Sequence, residues 1–260
     1  MPTDAIIENK AIIGGVAFAA LFIAERLHAA SPAPRNLERL VRNGVLWASL
    51  FILSPLIVLP LSAFAAEHSL WRRPAEWPEW LTLVIDLIIF DCWAYWVHRA
   101  YHEVPFMRRF HRVHHLDERL DSTSAVRFHP GEVAISAGLR MVPVILLSVP
   151  FAHVVVYETL LLVGSLFHHS NIKLPPAIEN ALSKIIVTPS IHWVHHHAVR
   201  EDTDSNYAAV LSLWDPLFGT RSKTKRTADM KIGIAGSPDE PLGELLVAPF
   251  RPSGNSLGNR

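Results

Sequence analysis

The chain has 260 residues, half of them hydrophobic, and its 24 basic and 24 acidic residues give a formal net charge of zero. This balance offers no general attraction for nucleic acid, and no G-x-G-x-x-G or P-loop pattern indicates a nucleotide site. The single cysteine, Cys92, excludes a disulfide framework, a cysteine-ligated zinc site and an intrinsic iron–sulfur cluster.

Two apolar runs near the amino terminus predict the first helices. The first extends from Ala11 to Ala24 and lacks both a preceding basic segment and a small-residue cleavage site, so we favour a retained helix over a signal peptide. The second, Asn43 to Ala66, contains no charged residue and exceeds the ~20 residues that span a bilayer. It includes Pro55 and Pro60, which spanning helices tolerate, often with a kink.

A third run, Trp80 to Val97, contains Asp86 and Asp91. Carboxylates inside a bilayer are costly and usually mark function or helix pairing. Asp91 precedes His98 by seven residues, about two helical turns, so it is either a partner that supports a metal ligand or a helix–helix contact.

A fourth apolar region predicts a helical hairpin with arms at Glu132–Val149 and Phe151–Phe167. Whether both arms cross the bilayer stays open, so the number of complete crossings is four or five. A large soluble all-α protein is the disfavoured alternative, because charge-free runs of this length are rare in soluble domains. The prediction is an all-α integral membrane helical bundle with several crossings.

The distribution of arginine predicts the orientation of this bundle. Arg26, Arg35, Arg39 and Arg42 lie between the first two runs, and six further arginines lie between His98 and the hairpin. The connection 67–79 holds only two. Because cytoplasmic loops carry an excess of Lys and Arg, the arginine-rich segments and the histidine clusters near them are predicted to face the cytoplasm.

Histidine clusters with helical spacing are the main functional signal. Residues at i, i+3 and i+4 share one face of a helix, and three imidazoles on one face do not all reach one ion comfortably. Neutral imidazole suits zinc, copper, iron and nickel. The clusters therefore predict a two-metal site, with His168, His169 and His129 as candidates for remaining positions. The three clusters are His98/His102, His111/His114/His115 and His192/His195/His196.

Two other functional classes fit these clusters less well. A membrane zinc hydrolase or lipase needs a general base and an open coordination position, but no Glu or Asp lies inside the clusters and H-E-x-x-H is absent. A metal transporter or sensor would distribute ionisable residues along a path through the membrane, whereas these histidines gather at one face.

The ordered set of motifs resembles the fatty acid hydroxylase superfamily, in its sterol desaturase branch. The chain departs from the family pattern at Ala208, where glycine is expected, and at the doubled His168-His169, where many members have one histidine. The resemblance extends from about residue 86 to residue 220. The matching strings are Asp91–Arg99 with His102, Phe110–His115, Arg127–Pro130, His169–Ile172, Thr188-Pro189 with the third cluster, Asn206-Tyr207 and Trp214–Thr220.

The resemblance implies a non-haem di-iron oxidoreductase that hydroxylates or desaturates an aliphatic C–H position of a membrane lipid, such as a fatty acyl chain or a sterol. Such a bond has no acidic proton and no leaving group, so iron and dioxygen supply chemistry that acid–base catalysis cannot. A separate donor is expected to provide electrons, of the ferredoxin or cytochrome b5 type with an NAD(P)H reductase. Hydroxylation and desaturation both remain open.

The resemblance also implies a division of roles among the residues. No catalytic residue is separable from the metal ligands, and Asp91, Asn171 and Asp215 are expected to support the ligands from outside. His168 and His129 are additional ligand candidates. The predicted iron ligands are His98, His102, His111, His114, His115, His169, His192, His195 and His196.

The sequence predicts three regions along the chain. Residues 1–79 form the predicted amino-terminal transmembrane region, 80–220 the catalytic region and 221–260 a cytoplasmic tail, in which Leu242–Phe250 is a candidate docking element. The end of the sequence, Gly258-Asn259-Arg260, has no K-D-E-L-type signal. This favours a bacterial inner membrane over the endoplasmic reticulum.

Overall fold

A computed structural model describes residues 2–32, 36–74 and 76–251. Arg35 and Gly258-Asn259-Arg260, used in the predictions above, lie outside the described residues. Within the described part the regular structure is helical, with four isolated β-bridges and no strand, which confirms the all-α prediction. The helices are α1 (Pro2–Leu27), α2 (Leu37–Leu53), α3 (Leu59–Glu67), α4 (Glu79–Glu103), α5 (Pro105–His115), α6 (Pro130–Leu147), α7 (Phe151–His169), α8 (Pro176–Leu182), α9 (Pro189–His195), α10 (Arg200–Thr203), α11 (Trp214–Phe218) and α12 (Leu242–Val247).

Five helical segments are long and apolar enough to cross a membrane, which confirms the prediction of an integral membrane bundle. Both arms of the hairpin are among them. The helices extend further than the apolar runs predict: α4 continues to Glu103 and α7 to His169, so each carries histidines on its last turns. The five segments are Thr3–Leu27, Leu37–Glu67, Glu79–Glu103, Pro130–Leu147 and Phe151–His169.

A π-turn at Ser54–Val58 joins α2 to α3 without ending the helix. Pro55 lies at the start of this turn. Proline lacks an N–H and its ring crowds the carbonyl four residues earlier, so a widened turn accommodates it within a continuous spanning element. At Pro55 the irregularity that proline introduces into the spanning helix is therefore a π-turn.

One end of the bundle is closed by the connection between α3 and α4. Arg73 pairs with Asp86 through two hydrogen bonds of 2.6 and 2.8 Å and also donates to the carbonyl oxygen of Leu147, the last residue of α6. His153, near the start of α7, lies 2.7 Å from the same carboxylate. Asp86 thus links α4 to α7 directly and to α6 through Arg73, at the end of the bundle opposite to the three histidine clusters.

The other end carries residues 104–129 and 170–251, which we call the polar cap. Arg39 of α2 reaches into the cap and holds the buried carboxylate of Asp117 with hydrogen bonds of 2.6 and 2.8 Å. Burial alone would raise the pKa of Asp117, but Arg39 and Arg127 lower it to about 2. This ion pair fixes the chain directly after α5.

The final α-helix of the described chain packs onto the cap. Leu245 of α12 is fully buried in a cluster with Leu46, Val113 and Leu116, which joins α12 to α2 and α5. Arg127 pairs with Asp239 in the preceding segment. These contacts hold α5 in place from the side away from its histidines.

Candidate metal centre

Nine buried or nearly buried histidines meet where the long helices enter the polar cap. They form two groups, and within each group one ligand atom per residue lies within 4.8 Å of all the others. The first group has five members, and the second has four. The groups are His98, His102, His111, His115 and His195, and then His114, His169, His192 and His196.

The two H-x-x-H-H motifs contribute to both groups in a reciprocal way. From α5, the i,i+4 pair His111 and His115 joins the first group, while His114 joins the second. From α9 and its carboxyl cap, the i,i+4 pair His192 and His196 joins the second group, while His195 joins the first. Successive residues of a helix differ by about 100° in direction, so each motif faces two sites at once.

The spacing of the ring nitrogens fits metal ions. In the second group, Nε2 of His169 lies 3.0 Å from Nε2 of both His114 and His192. In the first group, Nε2 of His115 lies 3.2 Å from Nε2 of His111. Nitrogens bound at about 2.0–2.1 Å to one ion are separated by about 3 Å, so these distances suit a shared ion.

Several converging nitrogens have no hydrogen-bond partner although they are buried. Nε2 of His102 and Nε2 of His195 are two of them. A buried polar atom without a partner costs about 1–3 kcal/mol, and coordination to an ion would satisfy it. The donor set, nine imidazoles within two compact groups, is therefore consistent with two bound metal ions.

The environment also keeps the imidazoles neutral, which is the form that binds metal. Burial lowers the pKa of His114, His115, His192, His195 and His196 well below the ordinary histidine value, and neighbouring imidazoles lower it further. Neutral rings retain a lone pair on one nitrogen, so the cluster is ready to accept cations without first losing protons.

Hydrogen bonds at Nδ1 orient several rings so that Nε2 faces the site. His98 donates to the carbonyl oxygen of Tyr207 at 2.8 Å, and His195 donates to that of Ser205 at 2.7 Å. His169 lies 2.8 Å from the carbonyl oxygen of Ser165 one turn earlier. Such partners fix the tautomer and the direction of a ligating imidazole.

Glu132 is the supporting residue that the sequence analysis missed. Its Oε1 lies 2.6 Å from Nδ1 of His111, and its Oε2 is buried without a partner. The signal available in the sequence was a carboxylate in the first turn of an apolar helix, two residues after Pro130 of the His129-Pro130 motif. A carboxylate there is costly unless it has a partner, and His111 is that partner.

Asp91 and Asp215 support the site through the loop that follows α10. Asp91 accepts hydrogen bonds from the backbone N–H of Leu211 at 2.9 Å and from the indole of Trp214 at 2.8 Å. Asp215 accepts from the N–H of Tyr207 at 2.7 Å. Neither carboxylate has a described hydrogen bond to a histidine; both hold the loop whose Tyr207 carbonyl orients His98.

Asn171 lies just after His169 and connects two parts of the chain. Its side-chain Nδ2 donates to the carbonyl oxygen of Ser31 at 2.8 Å, and its Oδ1 accepts from the N–H of Ser31 at 3.1 Å. The backbone N–H of Asn171 donates to Glu25 of α1. Asn171 therefore fixes the exit of α7 against the end of α1.

Two of the candidate ligands lie outside both groups. His168 packs against His192 with ring centroids 4.0 Å apart, and its Nδ1 is buried without a partner. His129 caps α6: its Nδ1 accepts from the N–H of Gly131 at 2.9 Å, and its Nε2 lies 3.1 Å from the carbonyl oxygen of Leu246. Of the doubled histidines, only His169 joins a group, and both ring nitrogens of His129 are engaged by backbone.

Residues 83–220, more than half of the chain, match the family model described as fatty acid hydroxylase. The chain belongs to the fatty acid hydroxylase family. This confirms the resemblance predicted from the motifs, and the matched segment contains all nine histidines of the two groups.

Named relatives share the matched region at modest identity. Ornithine lipid hydroxylase OlsE of Rhizobium tropici is 29% identical over 200 residues, which is 77% of this chain and 60% of that protein. Alkylglycerol monooxygenase of Homo sapiens is 36% identical over 156 residues, 59% of this chain and 33% of that protein. Methylsterol monooxygenase 1 of Rattus norvegicus is 28% identical over 184 residues, 68% of this chain and 60% of that protein. The chain thus spans between a third and 60% of the length of these relatives. No solved structure matches it significantly.

Proposed function

We propose that this family member is a dioxygen-dependent di-iron oxidoreductase that hydroxylates an aliphatic C–H position of a membrane lipid. Desaturation of such a position is the alternative. Electrons would come from a separate donor, of the ferredoxin or cytochrome b5 type with an NAD(P)H reductase. The observation that supports this proposal best is a cavity that connects both histidine groups to the membrane-spanning helices.

The cavity has a volume of about 340 Å³ and begins at the histidines. Its other walls are mainly apolar side chains of α4, α7 and the π-turn between α2 and α3, whereas α6 contributes Val133 and the polar Glu132, Ser136 and Arg140. Along α7 the lining extends from His169 back to Tyr157, which is about 18 Å at the helical rise of 1.5 Å per residue. The histidines that line it are His98, His111, His114, His168, His169 and His192.

This shape suits an extended hydrocarbon chain. A ligand site of this kind usually measures about 300–1,000 Å³ and is mostly apolar, with a few polar groups that set orientation. The apolar walls would bind a lipid tail and exclude water from its reacting carbon. The cavity lies between spanning helices, so a lipid could reach it from the bilayer.

The nine histidines would hold two iron ions at the cap end of the cavity, and Glu132 would orient His111. Bound iron would supply the activation of dioxygen that an aliphatic C–H bond requires. The protein residues would position the lipid carbon near the histidines and keep bulk water away from it.

The names of the relatives favour hydroxylation over desaturation as the proposed reaction. One is named a lipid hydroxylase, and two are named monooxygenases. Desaturation remains the second candidate because another relative, lathosterol oxidase of Homo sapiens, is 25% identical over 207 residues and is named for oxidation alone. The class of lipid is proposed no more narrowly than a fatty acyl chain, a sterol or a related membrane lipid.

Lipidomics of cells with and without the protein tests the reaction. We expect a lipid that gains one oxygen atom, with label incorporated from ¹⁸O₂, and none of it in cells expressing the His192→Ala variant at equal level. Loss of two hydrogens without label would identify desaturation. Product that forms without dioxygen would contradict the proposal and favour a hydrolase.

We further propose that the polar cap faces the cytoplasm, in a bacterial inner membrane rather than the endoplasmic reticulum. The arginine-rich segments lie in or beside the cap, and an excess of Lys and Arg is typical of cytoplasmic segments. A reporter that is active only in the cytoplasm, fused after the cap, should be active. Activity of a periplasmic reporter at the same position would reverse the orientation.

A further inference from the structure

A second cavity, of about 350 Å³, lies within the polar cap and contains none of the nine histidines in its lining. Its walls come from α8, α9 and the segment 221–226, and most of the lining side chains are polar or basic. This cavity shares no lining residue with the cavity proposed to bind the lipid, and its size is typical of a ligand site.

The charges around this cavity are unbalanced. Arg221, Lys225 and Arg226 line it, and Glu179 is the one carboxylate among the lining residues. Glu179 already accepts a hydrogen bond from the hydroxyl of Thr188. An excess of two positive charges in a concave site favours an anionic ligand.

Arg226 is the basic lining residue whose charge is least matched by its surroundings. Its Nη1 donates to the carbonyl oxygen of Ile172 at 3.0 Å, and its Nη2 donates to Oδ1 of Asn171 at 3.5 Å. Its guanidinium lies 3.6 Å from the ring centre of Trp193, and its Nε is buried without a partner. Burial lowers the pKa of Arg226 to about 9, and Glu179 offsets this effect only in part. A guanidinium that is desolvated without a matching carboxylate would be stabilised by a bound oxyanion.

The surroundings of the cavity are those expected at the level of lipid headgroups. α8 follows the end of α7 where this spanning helix enters the cap, and it turns Glu179 and Ser183 towards the cavity. Ile178 and Ile185 on the same segment are exposed. A short element with exposed apolar side chains beside a basic pocket is typical of a membrane interface.

We propose that this cavity binds the phosphate group of a small ester, either the headgroup of a membrane phospholipid or a soluble phosphate ester. Guanidinium groups bind phosphate through paired hydrogen bonds, and the hydroxyls of Ser183, Ser190 and Thr224 add further polar contacts. The volume exceeds that of a single small ion, so an ester with additional polar atoms fits better.

Occupancy of this cavity bears on the histidine groups because the two share α9. Ile191 and Val194 of α9 form part of the cavity wall, while His192 and His195 of the same helix face the histidine groups. A ligand in the cavity therefore contacts the same helix that presents these imidazoles, on an adjacent face.

Titration calorimetry on the full chain in dodecyl maltoside, with glycerol 3-phosphate as the probe, tests the site. We expect the Arg221→Gln/Lys225→Gln variant to bind at least tenfold more weakly than the unmodified chain. The matched control is Lys173→Gln/Lys184→Gln, which removes two exposed charges from the cap without touching the cavity lining. The control should bind as the unmodified chain does.

A second measurement separates the two sources of phosphate. Native mass spectrometry after extraction from phosphatidylglycerol nanodiscs should show a lipid retained by the unmodified chain and by the control, and lost from Arg221→Gln/Lys225→Gln, if the ligand is a headgroup. Binding of glycerol 3-phosphate without lipid retention assigns the site to a soluble ester. Absence of glycerol 3-phosphate binding, equal binding by all three proteins, or equal weakening in both variants would overturn the proposal.

Discussion

Nδ1 of His111 lies 2.6 Å from Oε1 of Glu132, and both side chains are buried at the histidine end of the cavity between the spanning helices. The carboxylate can only accept, so the imidazole donates from Nδ1 and its Nε2 is left to face the other histidines. Glu132 lies 21 residues away in the chain, at the beginning of a different helix. This contact links α6 to the first histidine group.

Replacing Glu132 by Ala should weaken metal binding, because His111 loses the partner that sets its tautomer and direction. We expect a reduction of about 10–100-fold in affinity, and a smaller one for Glu132→Gln, which can still accept a hydrogen bond. Chelator competition followed by elemental analysis of the purified protein measures this.

Glu158→Gln is the matched control for that experiment. Glu158 also lines the cavity, but it pairs with Lys10 and Arg140 rather than with a histidine. Its substitution should leave the metal content unchanged. Equal metal affinity in Glu132→Ala and Glu158→Gln would show that the Glu132 contact does not support a ligand.

Substitutions in the two histidine groups should remove different ions. His115→Ala takes a member from the first group and His192→Ala takes one from the second, so each variant should retain about one of two metal ions per chain. Activity should be lost in both if the ions act together. Elemental analysis with Mössbauer spectroscopy of ⁵⁷Fe-loaded protein would show which site is emptied. Two retained ions in both variants would argue against the grouping.

His129→Ala should behave differently from His115→Ala and His192→Ala, because both ring nitrogens of His129 contact backbone groups. We expect full metal content and a loss of about 1 kcal/mol of stability from the missing cap of α6. Loss of metal from His129→Ala would show that His129 is a metal ligand.

Asp215→Ala should destabilise the loop that supports His98. The buried carboxylate accepts hydrogen bonds from the N–H of Tyr207, the N–H of Ala208 and the hydroxyl of Thr220. Leaving these donors unsatisfied costs roughly 2–4 kcal/mol in total and should also reduce metal occupancy. Thermal unfolding in detergent, with and without chelator, measures both effects. Asp229→Ala, at an exposed position of the cap, should leave both unchanged.

A larger side chain in the cavity should affect the substrate without affecting the metal. Leu161 lines the cavity, whereas its neighbour Leu160 is 45% exposed on the outer surface of α7. Leu161→Trp should lower product formation by at least tenfold with full metal content, and Leu160→Trp should retain activity. Comparison of labelled product and metal content in the two variants tests this. Equal activity would show that the cavity does not hold the substrate.

Local sequence was sufficient to predict the membrane-spanning helices and the histidines of the two groups. A run such as Asn43 to Ala66 specifies a spanning helix because bilayer thickness and helical rise set the length that must be apolar. Spacing of i, i+3 and i+4 likewise specifies which imidazoles share a helical face. The family resemblance added the expected roles of the histidines, and the family itself was confirmed.

Only the tertiary structure decided how the histidines are divided between the groups. The reciprocal exchange of His114 and His195 depends on how α5 and α9 are turned within the cap, and no local spacing specifies that rotation. The pairing of His111 with Glu132 and the capping role of His129 likewise depend on where α6 begins relative to α5. Helical period and apolar length are properties of a single segment, so the sequence by itself determined them. The orientation of one segment against another arises from packing and buried hydrogen bonds between distant residues, and it appeared only in the folded chain.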